Sequence, residues 1–253
     1  MIKIICVTLL VFVVIYINSK VSYSEEYSEE LQQGLSTSVT TIAIMGDSWV
    51  AGNKLDSMIQ KQLTEQGIQN KILSFGHPGG TTKDLYKDLC GKGAYMFTPV
   101  ITTNPDYCII IAGVNDAASK VGADFYSYHM LLIIKTLLKY DIKPIIVSLP
   151  EFGIEETFYN MDLIRKIRTG LIAVIKNKGE INCIATYRKT LFSDLGGLKN
   201  RIAIIDFDKV CSDYSTNKVL YDNPSHLSTA GRKKLVKEIS KAIIKEDKCN
   251  IMD

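Results

Sequence analysis

A serine and a histidine that lie far apart in the sequence are the residue types of a nucleophile and its general base. Ser48 ends the run Gly46-Asp47-Ser48, directly after a short apolar segment. A serine on the turn between a buried strand and a helix can present its hydroxyl above a sheet. His226 lies in a polar stretch before the last amphipathic segment, and an imidazole can accept the proton of an attacking hydroxyl. Taken alone, each motif is equally ordinary turn or helix-capping chemistry.

Two further segments offer hydrogen-bond donors for the negative charge that such an attack creates. Gly79 and Gly80 follow the second apolar run, and glycines there let a backbone N–H approach a ligand closely. Asn115 follows the third apolar run and offers a side-chain amide. The alternative interpretation of the two glycines is a plain tight turn, and that of Asn115 is a helix cap. Because nucleophile, base and donors each occur beside a separate element, together they predict acyl-transfer chemistry.

The four motifs together resemble those of the SGNH hydrolases, GDSL-type esterases and acylhydrolases whose sequence blocks are named after Ser, Gly, Asn and His. The resemblance covers about residues 42–235, most of the chain. It implies that Ser48 is the nucleophile and His226 its base. It further implies an oxyanion hole formed by Ser48, Gly79 and Asn115. Hydrolysis of an ester through a serine-bound acyl intermediate, with no cofactor and no metal, is the activity that the resemblance implies.

One position departs from the family pattern. The family usually places an aspartate three residues before its histidine, and this sequence has Asn223 there, with Asp222 one residue earlier. A carboxylate would fix the tautomer of the imidazole and stabilise its protonated form, whereas an amide can only orient the ring. Pro224 favours an extended conformation for the residue before it, which can turn that side chain away. Asp222 is therefore the predicted partner of His226, and Asn223 is the alternative.

The elements that must position these residues follow from hydrophobic patterning. Short apolar runs rich in Ile and Val alternate with amphipathic stretches, which is typical of a mostly parallel sheet covered by helices on both faces. The predicted strands are Thr41–Met45, Lys71–Phe75, Tyr107–Ala112, Pro144–Leu149 and Ile202–Phe207. Apolar spacings of about 3.6 residues predict helices over Leu55–Glu65, Thr82–Leu89, Phe125–Tyr140, Thr157–Lys176 and Thr229–Lys245.

These elements predict an α/β fold, a three-layer α/β/α sandwich around a mostly parallel five-stranded sheet, which is the flavodoxin-like fold of the SGNH hydrolases. Open sheets of this kind bind ligands beyond the carboxyl ends of their strands. The serine, glycine and asparagine motifs each follow a predicted strand, so we expect them to meet at one edge of the sheet.

The N-terminus has the layout of an export signal. Lys3 precedes an apolar run over residues 4–17, and small residues follow at 22 and 24, so residues 1–24 are predicted to be a secretory signal peptide. The run is shorter than the roughly 20 residues of a bilayer span, and an uncleaved membrane anchor is the alternative. Residues 25–39 predict a polar tether, and residues 40–253 predict the SGNH hydrolase domain. A secreted or periplasmic protein without a stable membrane span is expected.

The composition of the chain limits the kinds of molecule and metal ion that it is expected to bind. The chain has 30 Lys and Arg against 27 Asp and Glu, a balance that gives no case for nucleic-acid binding. No Cys and His cluster has metal-ligand spacing. Signal cleavage would leave an odd number of cysteines, with Cys108 predicted to be a buried thiol in a strand and the pairing of the others left open. The cysteines left are Cys90, Cys108, Cys183, Cys211 and Cys249.

The expected substrate is an acyl ester, on an acetylated glycan or on a lipid. Short-chain or O-acetyl esters on glycans are preferred, because no long apolar lid segment stands out in the sequence. Two alternatives belong to other classes. An O-acetyltransferase acting on a cell-envelope polysaccharide would use the same residues, and a binding protein on a catalytically inactive SGNH fold would account for Asn223 in place of an aspartate.

Overall fold

The computed structural model describes residues 39–52, 54–175 and 183–252. The predicted signal peptide and nearly all of the predicted tether lie outside these residues. A five-stranded parallel sheet, in the order β2-β1-β3-β4-β5, occupies the centre of the unit that begins at Thr40. The predicted three-layer fold is confirmed, and every predicted strand is found to within two residues at either end. The strands are β1 Thr40–Gly46, β2 Asn70–Gly76, β3 Tyr107–Ile111, β4 Lys143–Val147 and β5 Ala203–Ile205.

The burial of the inner strands explains why their sequences are continuous apolar runs. Every residue of β3 is buried, as is β1 from Ile42 onward, because both lie inside the sheet with helices on each face. The edge strand β2 is only half-buried. Each isoleucine or leucine that is fully removed from water stabilises the fold by roughly 1.5–3 kcal/mol, so the inner strands fix the sheet in place.

Helices form the two outer layers. One layer contains α1 and α10, which pack on each other, and the other contains α2, α5 and α8. The bounds are α1 Leu55–Thr64, α2 Thr82–Leu89, α3 Thr98–Thr102, α4 Val114–Ala118, α5 Ala123–Lys139, α6 Ile154–Tyr159, α7 Leu163–Ile175, α8 Ile184–Asp194, α9 Phe207–Val210 and α10 Thr229–Met252. Among the described helices, none is long and apolar enough to cross a membrane.

The predicted helix Thr157–Lys176 is wrong in one respect, because the chain breaks there into α6 and α7. The break occurs at residues 160–162, where the Asp162 carboxylate accepts a hydrogen bond from the backbone N–H of Arg165 at 2.9 Å. An aspartate that caps the third helical residue in this way starts a new helix. The break matters because it turns the start of α7 toward the carboxyl edge of the sheet.

Several short elements were absent from the sequence prediction. They include α3, α4, α8, α9 and a small antiparallel pair formed by β6 Tyr221–Asn223 and β7 His226–Leu227. Four of the cysteines, Cys90, Cys108, Cys183 and Cys211, are free thiols, and the Cys249 side chain lies outside what the structure describes. Cys108 is fully buried in β3, as predicted, and burial raises the pKa of its thiol.

Candidate active site

The carboxyl edge of the sheet brings the predicted motifs together. The chain runs from β1 to β2 on one side and then returns to place β3 on the other side of β1, so a crevice opens at the carboxyl ends of these strands. Ser48 lies in the turn after β1, Gly79 in the turn after β2, and Asn115 in α4 after β3. A cleft of about 540 Å³ at this edge is lined by all three and by His226.

The serine and the histidine are in direct contact. His226 Nε2 lies 2.8 Å from Ser48 Oγ, although 178 positions separate the two residues in the sequence. This distance is that of a good hydrogen bond. Ser48 is partly exposed and His226 is half-buried, so a ligand in the cleft reaches both side chains.

The other ring nitrogen fixes the tautomer of His226. Nδ1 lies 2.9 Å from Asn223 Oδ1, and that oxygen also accepts the backbone N–H of Ser225 at 3.0 Å. Because Asn223 presents an acceptor to the ring, Nδ1 carries the proton and donates it. Nε2 is then left with a lone pair that accepts the Ser48 hydroxyl proton. The arrangement is a Ser-His-Asn chain of hydrogen bonds in the orientation that general-base chemistry requires.

Asp222, the first choice as partner of His226, lies elsewhere. Successive side chains of a strand point to opposite faces, and Asp222 and Asn223 are neighbours in β6. The Asp222 carboxylate is exposed and lies 3.2 Å from the guanidinium of Arg232 in α10. The structure therefore places the alternative, Asn223, against the ring and keeps Asp222 in an ion pair outside it.

The pKa of His226 is lowered from its ordinary value of 6.5. Burial of the ring is the main cause, the positive charge of Arg232 adds to it, and the negative charge of Asp222 opposes it. An imidazole with a lowered pKa is unprotonated at neutral pH. His226 is thus in the form that can accept a proton.

Asn115 is held by a buried carboxylate. Its side-chain amide donates to Asp47 Oδ2 at 3.3 Å, while Asp47 Oδ1 accepts the backbone N–H of Trp49 at 2.9 Å. Asp47 is fully buried, and this burial raises the pKa of its carboxyl to about 7, with the charge of Asp116 adding to the effect. An amide group has two N–H donors, so Asn115 retains one for a ligand in the cleft.

The turn after β2 has a backbone that requires glycine. Gly79 has φ of +75°, in the left-handed region. At Gly80 a Cβ atom would lie 2.7 Å from the His77 ring, which is closer than real contacts allow. His77 itself points away from the cleft lining and bonds the buried Asp88 at 2.6 Å. Among the described residues no group accepts the backbone N–H of Gly79, so this donor is available to a ligand.

Two contacts tie the motifs to one another. Asp116, next to Asn115, accepts both the backbone N–H and the hydroxyl of Thr82, so α4 is fastened to the first turn of α2. Burial raises the pKa of Asp116 to about 6. The indole N–H of Trp49 donates to the backbone carbonyl of Ser225 at 2.6 Å, which holds the histidine loop against the serine turn. Such supporting hydrogen bonds keep reacting groups within a fraction of an ångström of each other.

Part of the cleft wall comes from residues that the sequence motifs did not indicate. The segment between α6 and α7 contributes Asn160, Met161 and Asp162, and the first turn of α7 contributes Arg165. In the sequence, the signal for the start of α7 is Asp162, a residue type that favours a helix N-cap. This part of the cleft wall was predictable from that signal.

In chemical terms, the site holds a serine hydroxyl in contact with a neutral imidazole, with N–H donors nearby, on an α/β/α sandwich. These are the parts that acyl transfer requires. No cluster of three or more His, Cys, Asp or Glu side chains that would hold a metal ion occurs within the described ranges.

Several solved structures have a similar fold. The sequence matches no protein-family model and no curated protein sequence. A family 3 carbohydrate esterase from Clostridium thermocellum superposes with a TM-score of 0.58 at 16% identity, covering 84% of this chain and 98% of that one. A lipase/acylhydrolase from Enterococcus faecalis gives 0.57 at 17% identity, covering 81% and 95%. A GDSL-like lipase from Bacteroides thetaiotaomicron gives 0.53 at 16% identity, covering 88% and 97%.

These likenesses establish that the chain shares the three-layer α/β/α fold of these esterases and lipases, the fold that the sequence predicted. At such identities they establish the fold alone, and the activity is argued from the site.

Proposed function

We propose that the protein is a carboxylic ester hydrolase in which Ser48 is the nucleophile and His226 the general base. The observation that carries the proposal is the 2.8 Å contact between His226 Nε2 and Ser48 Oγ. The orientation of the ring by Asn223 supports it, because the unprotonated nitrogen faces the serine. An intact pair of this kind favours an enzyme over a binding protein on an inactive fold.

In the proposed reaction, Ser48 Oγ attacks the ester carbonyl carbon while His226 Nε2 takes the hydroxyl proton. The tetrahedral oxyanion accepts hydrogen bonds from the backbone N–H groups of Ser48 and Gly79 and from the side-chain amide of Asn115. The protonated imidazole then gives its proton to the leaving alcohol, which leaves an acyl group on Ser48. Water, deprotonated by His226, attacks the carbonyl carbon of this acyl-enzyme. As the bond to Ser48 Oγ breaks, the imidazolium returns its proton to that oxygen and the carboxylic acid leaves.

The cleft supports small polar esters as substrates. The polar side chains of Thr157, Asn160, Asp162 and Arg165 line the cleft together with Ser48 and His226, and such groups suit the hydroxyl-rich alcohol part of a glycan ester. We therefore propose short-chain or O-acetyl esters, carried on a glycan, as the substrate class. Export of the enzyme remains a prediction, made from the signal-peptide layout of residues 1–24.

A panel of esters tests the proposed function. Purified full-length protein is assayed for acid release from para-nitrophenyl acetate, butyrate and octanoate and from acetylated glycans, with and without an added glycan acceptor. Hydrolysis that falls with acyl length supports the proposal. Acetyl transfer to the acceptor in preference to water would instead identify the O-acetyltransferase. Absence of turnover on every ester would contradict both enzymatic functions.

Loss of Asn115 is expected to lower kcat by roughly 100 to 1,000-fold with a smaller change in KM, because one oxyanion donor is removed. The measurement is steady-state kinetics of Asn115→Ala on the best ester of the panel. Asn200→Ala, which removes an exposed asparagine outside the cleft, is the matched control. Asn115→Ala also removes a hydrogen bond from the buried carboxylate of Asp47, so thermal unfolding of each variant is recorded to detect a loss of stability. A kcat close to that of the native enzyme would leave Asn115 only a structural role.

Replacing Asn223 by aspartate is expected to raise kcat and to move the acidic limb of the pH profile upward. The new carboxylate would lie against Nδ1, where it stabilises the protonated imidazole. The native His226 pKa is lowered. In the native enzyme the unprotonated imidazole, and with it kcat/KM, is therefore lost only as the pH falls below 6.5. In Asn223→Asp the His226 pKa is raised, so kcat/KM is lost at a higher pH.

Asp222→Asn is the matched comparison for Asn223→Asp. It removes a charge that raises the His226 pKa without touching the ring, so the limb should move slightly to lower pH with little change in kcat. Profiles of kcat/KM against pH for the three enzymes check both statements. A large loss of kcat in Asp222→Asn, with no effect of Asn223→Asp, would make Asp222 the partner of the base.

A further inference from the structure

Arg165 stands at the junction of two clefts. Its guanidinium donates to the backbone carbonyl of Gly79 at 3.1 Å, and its backbone N–H is capped by Asp162, so the side chain is anchored beside the glycine turn. It lines the active-site cleft together with Ser48 and His226. It also lines a second cleft of about 590 Å³ that begins on the other side of the same turn.

The second cleft adjoins the first. Both are lined by Gly79, Asp162 and Arg165, so the two clefts meet at the Arg165 guanidinium, and together they are called the groove. The second part adds Lys83 and Lys87 from α2. A substrate larger than a simple ester would therefore extend from the reacting serine past Arg165 and along two lysines.

The cations of this groove form no close ion pair in the described chain, and the charge of Lys87 is attracted to Asp84 only at longer range, whereas the carboxylates of the groove accept helix-capping hydrogen bonds. In the described chain, Arg165, Lys83 and Lys87 form no ion pair, and Lys83 has only the Phe125 ring at 5.9 Å. Asp84 accepts hydrogen bonds from the N–H and hydroxyl of Thr81. Asp84 and Asp162 both cap helix N-termini, where the helix dipole already compensates negative charge.

From this arrangement we propose that the groove binds an anionic group of the substrate, a carboxylate or a phosphate ester, with Arg165 as its principal contact. A guanidinium has five N–H donors in a planar fork, and the bond to Gly79 uses one of them. The remaining fork matches two oxygens of one anion. Resting on the proposed esterase function, this assigns the substrate to acyl esters of acidic molecules, such as an acidic glycan.

Matched pairs of esters test the proposal. The anionic probes are para-acetoxybenzoate, with the charge on the alcohol side, and mono-para-nitrophenyl succinate, with the charge on the acyl side. The neutral partner of each is its methyl ester. For each pair, kcat/KM of the anionic ester is divided by kcat/KM of its neutral partner, in the native enzyme, in Arg165→Gln and in Lys166→Gln. Lys166 follows Arg165 in α7 but does not line the groove, so it controls for the loss of one positive charge.

Arg165→Gln should lower this ratio by about 10-fold or more for at least one probe, because a charge-assisted hydrogen bond to the anion is lost. Lys166→Gln should leave the ratio within about two-fold of the native value, because a charge outside the groove acts on the anion only at a distance and through screening solvent. Any disturbance of the Gly79 turn by Arg165→Gln slows both members of a pair and cancels in the ratio.

Unchanged ratios for both probes in Arg165→Gln would overturn the anion site, even though the neutral esters are still hydrolysed. An equal fall in Lys166→Gln would overturn it as well, since the effect would then be the general field of the protein. Failure of the native enzyme to hydrolyse the neutral esters would instead contradict the proposed function itself, and the two failures are thereby told apart.

Discussion

Ser48→Ala is expected to lower kcat on any ester substrate by roughly four to six orders of magnitude, as removal of the nucleophile does in serine hydrolases. The hydroxyl that forms the acyl-enzyme is lost, and only the oxyanion donors and substrate binding remain. KM should change little. The fold should be unaffected, because Ser48 is a partly exposed residue in a turn whose backbone is held by other residues. The backbone N–H of Asp47 donates to the Ile111 carbonyl in β3, and the Asp47 carboxylate accepts the backbone N–H of Trp49.

Initial rates and thermal unfolding of Ser48→Ala, measured beside Ser57→Ala, check this expectation. Ser57 lies in the first turn of α1 and its hydroxyl bonds only a local carbonyl, so Ser57→Ala controls for the loss of a serine hydroxyl away from the cleft. Residual turnover above about one per cent of native in a folded Ser48→Ala protein is far outside the expected range. Such a result would assign the nucleophile to another residue.

His226→Ala is expected to be almost as damaging, with kcat reduced by roughly four to six orders of magnitude. The substitution removes the imidazole that contacts Ser48 Oγ, and with it the proton acceptor that activates the hydroxyl. The acidic limb that His226 imposes should vanish from the pH profile, leaving a rate that rises steadily as hydroxide replaces the missing base. His129→Ala is the matched control, because that ring bonds a backbone carbonyl within α5 and does not line the cleft.

The double variant Ser48→Ala/His226→Ala sharpens this test. Residues that act as one catalytic unit are strongly non-additive, so removing both should cost little more than removing either. Additive losses would mean that the two side chains act independently and that their contact has no catalytic meaning.

Much of the site was predictable because parallel sheets place the residues that follow their strands at one edge. Ser48, Gly79 and Asn115 each follow an apolar run whose strand character is plain, and a parallel arrangement brings three such turns together. The approach of His226 to Ser48 depends on the packing of α10 against α1, a contact between distant parts of the chain that local patterning does not determine. The contact between His226 and Ser48 was predicted from the resemblance of the motifs to those of a known family.

The partner of the imidazole was not predictable from charge alone. The Asn223 side chain accepts the N–H of Ser225, two residues on, and this local turn fixes its oxygen toward the ring. The alternation of side chains along β6 then directs Asp222 outward to Arg232. Both effects come from a hairpin of a few residues, and such hairpins leave a weak hydrophobic signal.

The cleft wall beyond Gly79 was missed for a related reason. Residues 157–176 have a nearly continuous helical periodicity, and the break at Asp162 is a capping hydrogen bond within an otherwise helical segment. Periodicity reports which residues share a face, whereas a change of helix direction depends on a single cap. Arg165, which the sequence offered only as a charge on a helix, owes its position in the groove to that change.

Covalent labelling with a fluorophosphonate ester, followed by mass mapping of the modified peptide, tests the central claim most directly. The phosphorus centre mimics the tetrahedral intermediate and reacts only with a serine that a neighbouring base activates. We predict one adduct per chain on the peptide that contains Ser48, lost in His226→Ala and retained in Asp222→Asn. Labelling of a different serine, or absence of labelling in a folded native protein that does hydrolyse esters, would contradict the assignment of Ser48 as the nucleophile.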